Sequence, residues 1–466
     1  MAQLPPSSAP LNDAADPAVG DVAATTAPPQ VDRVPFGAWW MLFVLFLLYV
    51  LSLLDRQVLS MLVEPIKNDL GLTDVEMGII LGPAFAIFYG LFGWPLGWAA
   101  DRYPRRWVIY LGVTFWSLAA AASGLARSFW ELLMCRIGVG SGEASLTPAA
   151  YSLMGDKFPR RRLTTAMSIY QTGSMVGTAA AFAIGGLVIG LASDITANDI
   201  PLIGHLEPWQ MTLIITGAPG VLLALLVWTF SEPPRRQVKK IEGAPKQNFI
   251  RFLKAEWRLL VPMALGFSLM VVLGNSLISW TPTYITREFQ WRPEEYGPLL
   301  GLASIASGLT MVLKGWIVDW LYARGMRDAH LRFYTWLIIA AIPVAAAAFL
   351  IKEPISFFIL YAILQVLVVQ FVVYVAATIH LVTPSELRAQ TIAVFISIFS
   401  FIGTGLGPFI TATVTDVVLG GPHMLGESLL IVSLVSLPLA LLLLRVSIGQ
   451  VHGAMARQDA RDDSDH

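Results

Sequence analysis

Long apolar stretches alternate with short polar connections over most of the chain. Twelve of these stretches have about 20 residues, which is the helix length that crosses a hydrocarbon layer about 30 Å thick. The predicted helices lie near residues 37–60, 75–100, 106–126, 129–154, 163–190, 210–230, 258–282, 296–318, 332–351, 354–381, 389–418 and 425–446. The pattern therefore predicts an all-α integral membrane protein.

One long polar connection, residues 231–257, divides the predicted helices six and six. We predict an N-terminal bundle over 37–230, a cytoplasmic linker with an amphipathic segment over 231–257, and a C-terminal bundle over 258–447. Residues 1–36 are rich in Ala, Pro, Asp and Ser and lack a basic region followed by an apolar run, so they predict a disordered tail and not a secretory signal. Residues 448–466 predict a second polar tail.

Lysine and arginine collect on one side of the predicted membrane. The connections on that side hold nineteen of these residues and those on the other side hold five. Because basic connections stay in the cytoplasm, this bias places both termini there. We expect the chain in the cell inner (plasma) membrane.

The two predicted bundles carry related sequences. Gly97-Trp-Ala-Ala-Asp101 follows the second predicted helix, and Gly315-Trp-Ile-Val-Asp319 follows the eighth. A weaker similarity relates Pro159-Arg-Arg-Arg162 to Pro384-Ser-Glu-Leu-Arg388. Duplicated helical bundles are typical of transporters that hold their substrate at mid-membrane between two rocking halves.

Composition narrows the function further. The chain is 56% hydrophobic and 14% charged, and its formal net charge of −1 gives no indication of a nucleic-acid partner. The single cysteine, Cys135, excludes an intramolecular disulfide and a cysteine metal site. The sequence contains no nucleotide-binding loop, metal-ligand cluster or nucleophilic serine motif. We therefore expect neither an enzyme nor a cofactor, no metal, and a monomer.

The connection after the second predicted helix resembles a family signature. Gly97-Trp-Ala-Ala-Asp101-Arg102-Tyr-Pro104-Arg105-Arg106 is similar to the G-x-x-x-D-R-x-G-R-R pattern of the major facilitator superfamily, with Pro104 where that pattern usually has glycine. The resemblance implies twelve helices in two six-helix bundles and transport by alternating access.

Three further segments resemble the spinster-type branch of that superfamily. They are Leu54-Asp55-Arg56-Gln57, the segment from Arg136 to Ser145, and Trp107 with Trp116-Ser117. That branch includes transporters of sphingosine phosphate and lysophospholipids. This chain has Ser52-Leu53-Leu54 where the branch usually has Asn-Tyr shortly before the Asp-Arg pair, so the substrate stays open.

Asp55 lies inside the first predicted membrane helix, and Arg136 and Glu143 lie inside the fourth. Each charge at mid-bilayer costs roughly 2.5 to 3.5 kcal/mol, so such residues usually pair or carry out transport. Helical spacing puts Arg136, Gly140 and Glu143 on one face. We expect Asp55 and Arg136 at similar depth and Glu143 about two turns deeper.

These residues suggest a proton switch. Burial favours the neutral form of a carboxylate, whereas a nearby guanidinium favours the charged form. Movement of Arg136 between Asp55 and Glu143 would let one carboxylate take a proton while the other is paired. Arg56 would supply a second positive charge or bind a phosphate or carboxylate headgroup. The alternative is a static ion-pair cluster that joins two helices.

Other residues are candidates for the gate and the cavity. We predict a charged cytoplasmic gate in which Asp101 approaches the eleventh helix; the alternative is a solvated loop. The predicted gate residues are Asp101, Arg102, Arg105, Arg106 and Asp319. Polar and aromatic side chains that suit an amphipathic substrate are Arg56, Tyr89, Tyr170, Gln171, Asn275, Tyr361 and Gln365. We expect Lys314 to reach the membrane surface or to pair locally.

The leading hypothesis is a proton-coupled secondary transporter of an amphipathic or lipid-like organic anion, whose partners are that substrate and membrane lipid. One alternative is a proton-coupled symporter of a small carboxylate or sugar acid. An uncoupled lipid scramblase or sensor is an alternative of another class. The direction of transport stays open.

Overall fold

Helices account for the regular structure of this protein. The computed structural model describes residues 34–195, 205–235, 249–369, 371–384 and 386–464. No β-strand occurs within these ranges. Most of the predicted N-terminal tail and residues 236–248 of the predicted linker lie outside the described residues.

The first half of the chain contains ten α-helices in its described part. They are α1 (Phe36–Met61), α2 (Val63–Leu70), α3 (Asp74–Leu81), α4 (Pro83–Arg102), α5 (Arg105–Ser123), α6 (Phe129–Glu143), α7 (Leu146–Lys157), α8 (Arg160–Ile195), α9 (Pro208–Gly217) and α10 (Pro219–Ala224). A 3-10 turn over Leu225–Thr229 follows α10.

The second half continues with helices of the same kind. They are α11 (Phe249–Ala255), α12 (Trp257–Phe289), α13 (Pro293–Ala323), α14 (Ala329–Leu350), α15 (Pro354–Val368), α16 (Val372–Val382), α17 (Arg388–Ile398), α18 (Gly405–Thr413) and α19 (Leu425–Ser464). Two π-helical turns, Phe399–Thr404 and Val414–Val418, flank α18.

In the described part of the chain, ten helical stretches are long and apolar enough to cross a membrane. The predicted third and fourth spans are not among them. The third, α5, begins with two arginines, and the fourth is divided into α6 and α7, which have only 15 and 12 residues. The all-α membrane fold is confirmed, and the number twelve stays a prediction.

The predicted polar tail after residue 447 is largely helical, because α19 continues to Ser464. Val451, Ala454 and Met455 are buried there at helical spacing. The Arg457 guanidinium donates two hydrogen bonds, of 2.9 and 2.7 Å, to the buried carboxylate of Glu256. The end of α19 therefore packs against the start of α12, close to the amphipathic helix α11.

The two halves touch closely at one end of the bundle, which we call the closed end. A Cβ atom on Gly186 of α8 would lie 2.4 Å from the carbonyl oxygen of Pro293, and one on Gly297 of α13 would lie 2.3 Å from that of Phe182. Only glycine fits at these two positions, because the backbones of α8 and α13 are almost in contact.

Toward the opposite end, which we call the open end, α8 presents polar side chains to its surroundings. Ser168, Gln171 and Thr172 are exposed in the half of α8 that lies beyond its contact with α13. Polar groups on a membrane helix are tolerated where they line a water-filled cleft. These exposed polar residues indicate a water-accessible surface at the open end of α8.

Gly297→Ala should loosen the closed end. The added methyl overlaps the Phe182 carbonyl, and overpacking of this kind costs about 1–3 kcal/mol. The fraction of molecules that are open at this end should therefore rise roughly tenfold. The measurement is the maleimide labelling rate of a cysteine at buried Met77, in a Cys135→Ser background. Gly315→Ala is the matched control, since a Cβ there meets nothing within 4 Å. Equal labelling of both variants would contradict the prediction.

Candidate functional site

Four charged residues of α1 and α6 come together inside the first half. The approach of α4 to α6 requires Gly140, since a Cβ atom there would lie 2.6 Å from the Phe85 carbonyl oxygen. Glu143 is the last residue of α6, directly before the break that separates α6 from α7. Asp55, Arg136 and Glu143 are 5%, 4% and 3% exposed. The predicted charged residues are therefore all buried.

Arg56 is the ion-pair partner of Glu143. Its Nε donates to Oε2 at 3.1 Å and its Nη2 donates to Oε1 at 2.5 Å. In this conformation the partner of Glu143 is Arg56, and the movement of Arg136 between the two carboxylates stays a prediction. The long Arg56 side chain reaches α6 although its Cα lies on another face of α1 than that of Asp55.

Arg136 makes no ion pair within 4 Å in the described structure. Its guanidinium carbon lies 5.7 Å from the centre of the Phe85 ring, within the range of a cation–π contact. Its charge acts on Asp55 and Glu143 through space. Arg136 is thus the basic residue of this cluster that has no direct carboxylate partner.

Asp55 is the carboxylate without a direct partner. Both of its oxygens are buried, and neither makes a hydrogen bond of good geometry with any described residue. It lies beside the Trp116 indole and within electrostatic reach of Glu143 and Arg136. A buried carboxylate without hydrogen bonds is costly when ionised. Asp55 and Arg136 therefore form no direct ion pair with each other, whereas Arg56 and Glu143 beside them form a bidentate one.

Aromatic side chains form a wall next to the Arg56–Glu143 pair. The Arg56 guanidinium carbon lies 4.1 Å from the Phe85 ring centre and 5.3 Å from that of Tyr89. Tyr89, a predicted cavity residue, therefore lies beside the pair, and Arg56, another, is one member of it. Tyr170, a third, stacks on Tyr49. Tyr49 is within electrostatic reach of Arg56, Glu143 and Tyr89.

Two aromatic residues of this wall were not predicted from the sequence. Tyr49 stacks on Tyr170 with ring centres 4.7 Å apart, and Tyr151 meets Tyr170 edge-on at 5.7 Å. Tyr49 lies seven residues before Arg56 and therefore on the same face of α1, which is the signal that could have found it. Gln171 is exposed on a different face of α8 from buried Tyr170.

The predicted cavity residues of the second half lie apart from this cluster. Asn275 donates a hydrogen bond of 3.0 Å to Val271 of its own helix. Gln365 and Tyr361 are both buried and hydrogen-bonded to each other at 2.5 Å. No hydrogen bond, ion pair or ring contact in the described part of the chain joins these residues to Arg56 or Glu143.

Two of the five predicted gate residues, Arg105 and Arg106, bind groups within the first half. Arg105 is fully buried; it contacts Asp156, donates to Ser152 at 3.1 Å and donates to the Glu232 carboxylate at 3.2 Å. Arg106 donates to the Phe230 carbonyl at 2.8 Å. These arginines tie the start of α5 to α7 and to the segment after the 3-10 turn.

The expected approach of Asp101 to the second half is absent from this conformation. Asp101 and Asp319 are exposed and form no ion pair within 4 Å among the residues described, and Arg102 lies over Trp98 with 4.3 Å to the ring centre. These residues lie at the open end, where the halves are apart. A gate at this end remains a prediction for the conformation in which it closes.

A second charged network, not predicted from the sequence, joins the halves at the closed end. Arg287, near the end of α12, donates to Glu64 at 2.8 Å and to both oxygens of Asp74 at 2.7 Å. Lys67 contacts Asp74, which is fully buried, and Arg287 also donates to the Pro422 carbonyl at 2.9 Å. Lys67 and Arg287 are among the five basic residues predicted on the side with few Lys and Arg. Their isolation there could have indicated that each pairs with a specific carboxylate.

Comparison with known proteins explains this architecture. A sequence profile described as the Major Facilitator Superfamily matches residues 45–408. The chain belongs to the major facilitator superfamily. It is therefore a multi-pass integral membrane protein of a transporter family.

The similar proteins include sugar-acid transporters and spinster homologues. The probable L-galactonate transporter of Escherichia coli K12 is 27% identical over 396 residues, which cover 80% of this chain and 82% of that protein. Protein spinster homolog 1 of Rattus norvegicus is 30% identical over 256 residues, but these cover 53% of this chain and 46% of that protein. The first is named as a transporter and the second as a spinster homologue.

A solved structure is similar to the whole transporter fold. It is a bacterial homologue of the human lysosomal transporter Spinster in an inward-facing and unoccupied conformation, with a TM-score of 0.75 and 26% identity, and the match covers 90% of this chain and 97% of that one. The resemblance to the spinster-type branch is confirmed.

Arg287→Gln should open the closed end of this transporter. Loss of one partner from a buried ion pair costs about 3–5 kcal/mol, because Glu64 and Asp74 keep their charge, so labelling of the Met77 cysteine should rise at least roughly tenfold. Arg127→Gln is the control, since Arg127 is exposed and forms no ion pair in the described structure. Labelling of Arg287→Gln at the control rate would show that the network does not hold the halves together.

Proposed function

We propose that the chain is a proton-coupled secondary transporter of an organic anion, working by alternating access. The observation that carries the proposal is the buried bidentate pair of Arg56 and Glu143 beside Asp55, a carboxylate without a hydrogen bond. The proposed protein is a monomer with twelve membrane spans and needs no cofactor other than the coupling proton.

The basic connections support a cytoplasmic position for the open end. Arg102, Arg105 and Arg106 lie there, at the junction of α4 and α5, and basic residues remain on the cytoplasmic side of the inner membrane. In this orientation both termini are cytoplasmic, and the cleft faces inward. The gate at Asp101 and Asp319 would close in the outward-facing state.

Competition for Arg56 supports coupling of proton and anion. While Glu143 is ionised, it occupies the Nε–Nη2 edge of the Arg56 guanidinium. An anionic group that binds this edge displaces Glu143, and the displaced carboxylate then takes a proton to avoid a buried, unpaired charge. By linkage, a proton on Glu143 strengthens anion binding by the same factor by which the anion strengthens proton binding. This coupling favours transport of the proton and the anion in the same direction.

The charges of the membrane interior support an anionic substrate. Within the first half, Arg56 and Arg136 match Asp55 and Glu143 in charge, so a proton on Glu143 leaves one positive charge. One bound monoanion would balance it. The planar fork of Arg56 suits a carboxylate or a phosphate, which it binds through two hydrogen bonds.

The aromatic wall favours an amphipathic or lipid-like anion as the first candidate. Phe85, Tyr49 and Tyr170 offer ring faces beside the arginine, as a substrate with an apolar body requires. The spinster-type likeness over 90% of the chain supports this class. The substrate would reach the cleft from membrane lipid or from water.

A small carboxylate or sugar acid is the second candidate. The hydroxyl groups of Tyr49, Tyr89, Tyr151 and Tyr170 would suit a polyhydroxylated acid, and a relative named as a probable L-galactonate transporter matches 80% of the chain. An uncoupled scramblase or sensor is the remaining alternative, and it would not require the Arg56–Glu143 pair.

Transport in proteoliposomes tests the coupling. An imposed pH gradient should accelerate uptake roughly tenfold for a member of a panel of lysolipids, sphingoid phosphates and sugar acids, and Glu143→Gln should remove this acceleration while exchange without a gradient remains. Glu131→Gln, an exposed acid on the same helix, is the matched control. Gradient-independent flux by the parent protein would reject proton coupling and favour the uncoupled alternative.

Tyr89→Phe separates the two substrate classes. It keeps the ring beside Arg56 and removes one hydroxyl, so affinity should fall about tenfold for a sugar acid that this hydroxyl binds and should stay unchanged for a lipid-like anion. Equilibrium binding of the transported panel member is the measurement. Tyr103→Phe, at the exposed end of α4, is the control.

A further inference from the structure

The two halves share a helix break at corresponding places in the predicted repeat. In the first half, α6 has 15 residues and ends at Glu143, and α7 follows with 12. In the second half, α15 has 15 residues and ends at Val368, and α16 follows with 11. These are the fourth and tenth spans of the repeat. Discontinuous helices at mid-membrane are where transporters of duplicated design place their working groups.

The break after α15 exposes backbone carbonyls that need donors. The last four carbonyls of a helix have no intrahelical partner, and a membrane offers no water to satisfy them. Side chains of neighbouring helices supply the bonds. Ser307 of α13 donates to the Gln365 carbonyl at 3.1 Å, Tyr334 of α14 donates to the Val368 carbonyl at 2.8 Å, and Lys314 of α13 donates to the Val366 carbonyl.

Lys314 is the charged member of this set. Its side chain is 6% exposed, and no carboxylate lies within ion-pair distance of it in the described part of the chain. Of the two roles expected for Lys314, it does not reach the membrane surface but pairs locally, with the Val366 carbonyl of the neighbouring α15. Its ammonium lies at the carbonyl end of α15, where the helix dipole is negative, so the broken helix itself supplies the compensating partial charge.

We infer that Lys314 is a positioning residue for transport, which holds the break between α15 and α16 while the second half changes conformation. An ammonium on a flexible stem has three donors and can stay bonded to the carbonyls as the angle between α15 and α16 changes. A side chain without a donor would leave the Val366 carbonyl without this bond. The inference rests on the proposed transport function, and it gives the second half a part in the cycle that lies outside the proton site.

The test compares Lys314→Met, which keeps the length but loses the charge, with Lys314→Arg. Lys352→Met is the control, because Lys352 is exposed and its ion pair with Glu288 is at the surface. Hydrogen–deuterium exchange of the peptide that covers residues 364–374 reports the break directly, whether or not a substrate is known. Turnover and KM in proteoliposomes report transport.

Lys314→Met should raise exchange in this peptide about tenfold, the size expected when a hydrogen bond to a charged group is lost, and should lower turnover about tenfold with KM within about twofold. Lys314→Arg should restore most of both, and Lys352→Met should match the parent protein. Parent-like exchange or parent-like turnover in Lys314→Met would overturn the inference. If the parent protein carries no substrate of the panel, the proposed function fails separately, and the exchange result alone decides whether Lys314 holds the break.

Discussion

The ion pair between Arg56 and Glu143 connects α1 to the end of α6, in a part of the protein where a charge cannot rely on water. Each of these groups needs the other, and so the position of either helix depends on the pair. Glycines on α6 let α4 approach and place the Phe85 ring over the guanidinium. The cation–π contact and the ion pair together fix Arg56 at the edge of the cleft.

The same constraint explains the other polar contacts of the bundle. At the closed end, Arg287 compensates Glu64 and Asp74 across the two halves, and this network exists only while that end is closed. In the middle of the second half, Lys314 and Tyr334 satisfy the carbonyls of a broken helix. Charges therefore appear where two elements must hold a definite relation, as expected where an unsatisfied group is costly.

The two charged clusters differ in which elements they join. The closed-end network lies between the halves, whereas Arg56 and Glu143 lie within one half, so separation of the halves at the closed end would leave the Arg56–Glu143 pair intact. Arg105 and Arg106 likewise stabilise the first half internally. Each half can then move nearly as a rigid body, with the glycine contacts of α8 and α13 as the place where the two surfaces meet.

The sequence alone determined the membrane class and the burial of Asp55, Arg136 and Glu143, and it predicted two related halves, because hydropathy and repeated motifs are local properties of the chain. It also indicated the family through the segment Gly97 to Arg106. It did not determine which arginine pairs with Glu143, since an arginine side chain is long enough to reach from a neighbouring helix face. Tertiary structure decided the partners of Arg287, the burial of Lys314 and the separation of Asp101 from the second half. Those depend on how distant helices pack and on which end of the cleft is closed, and no local pattern carries that information.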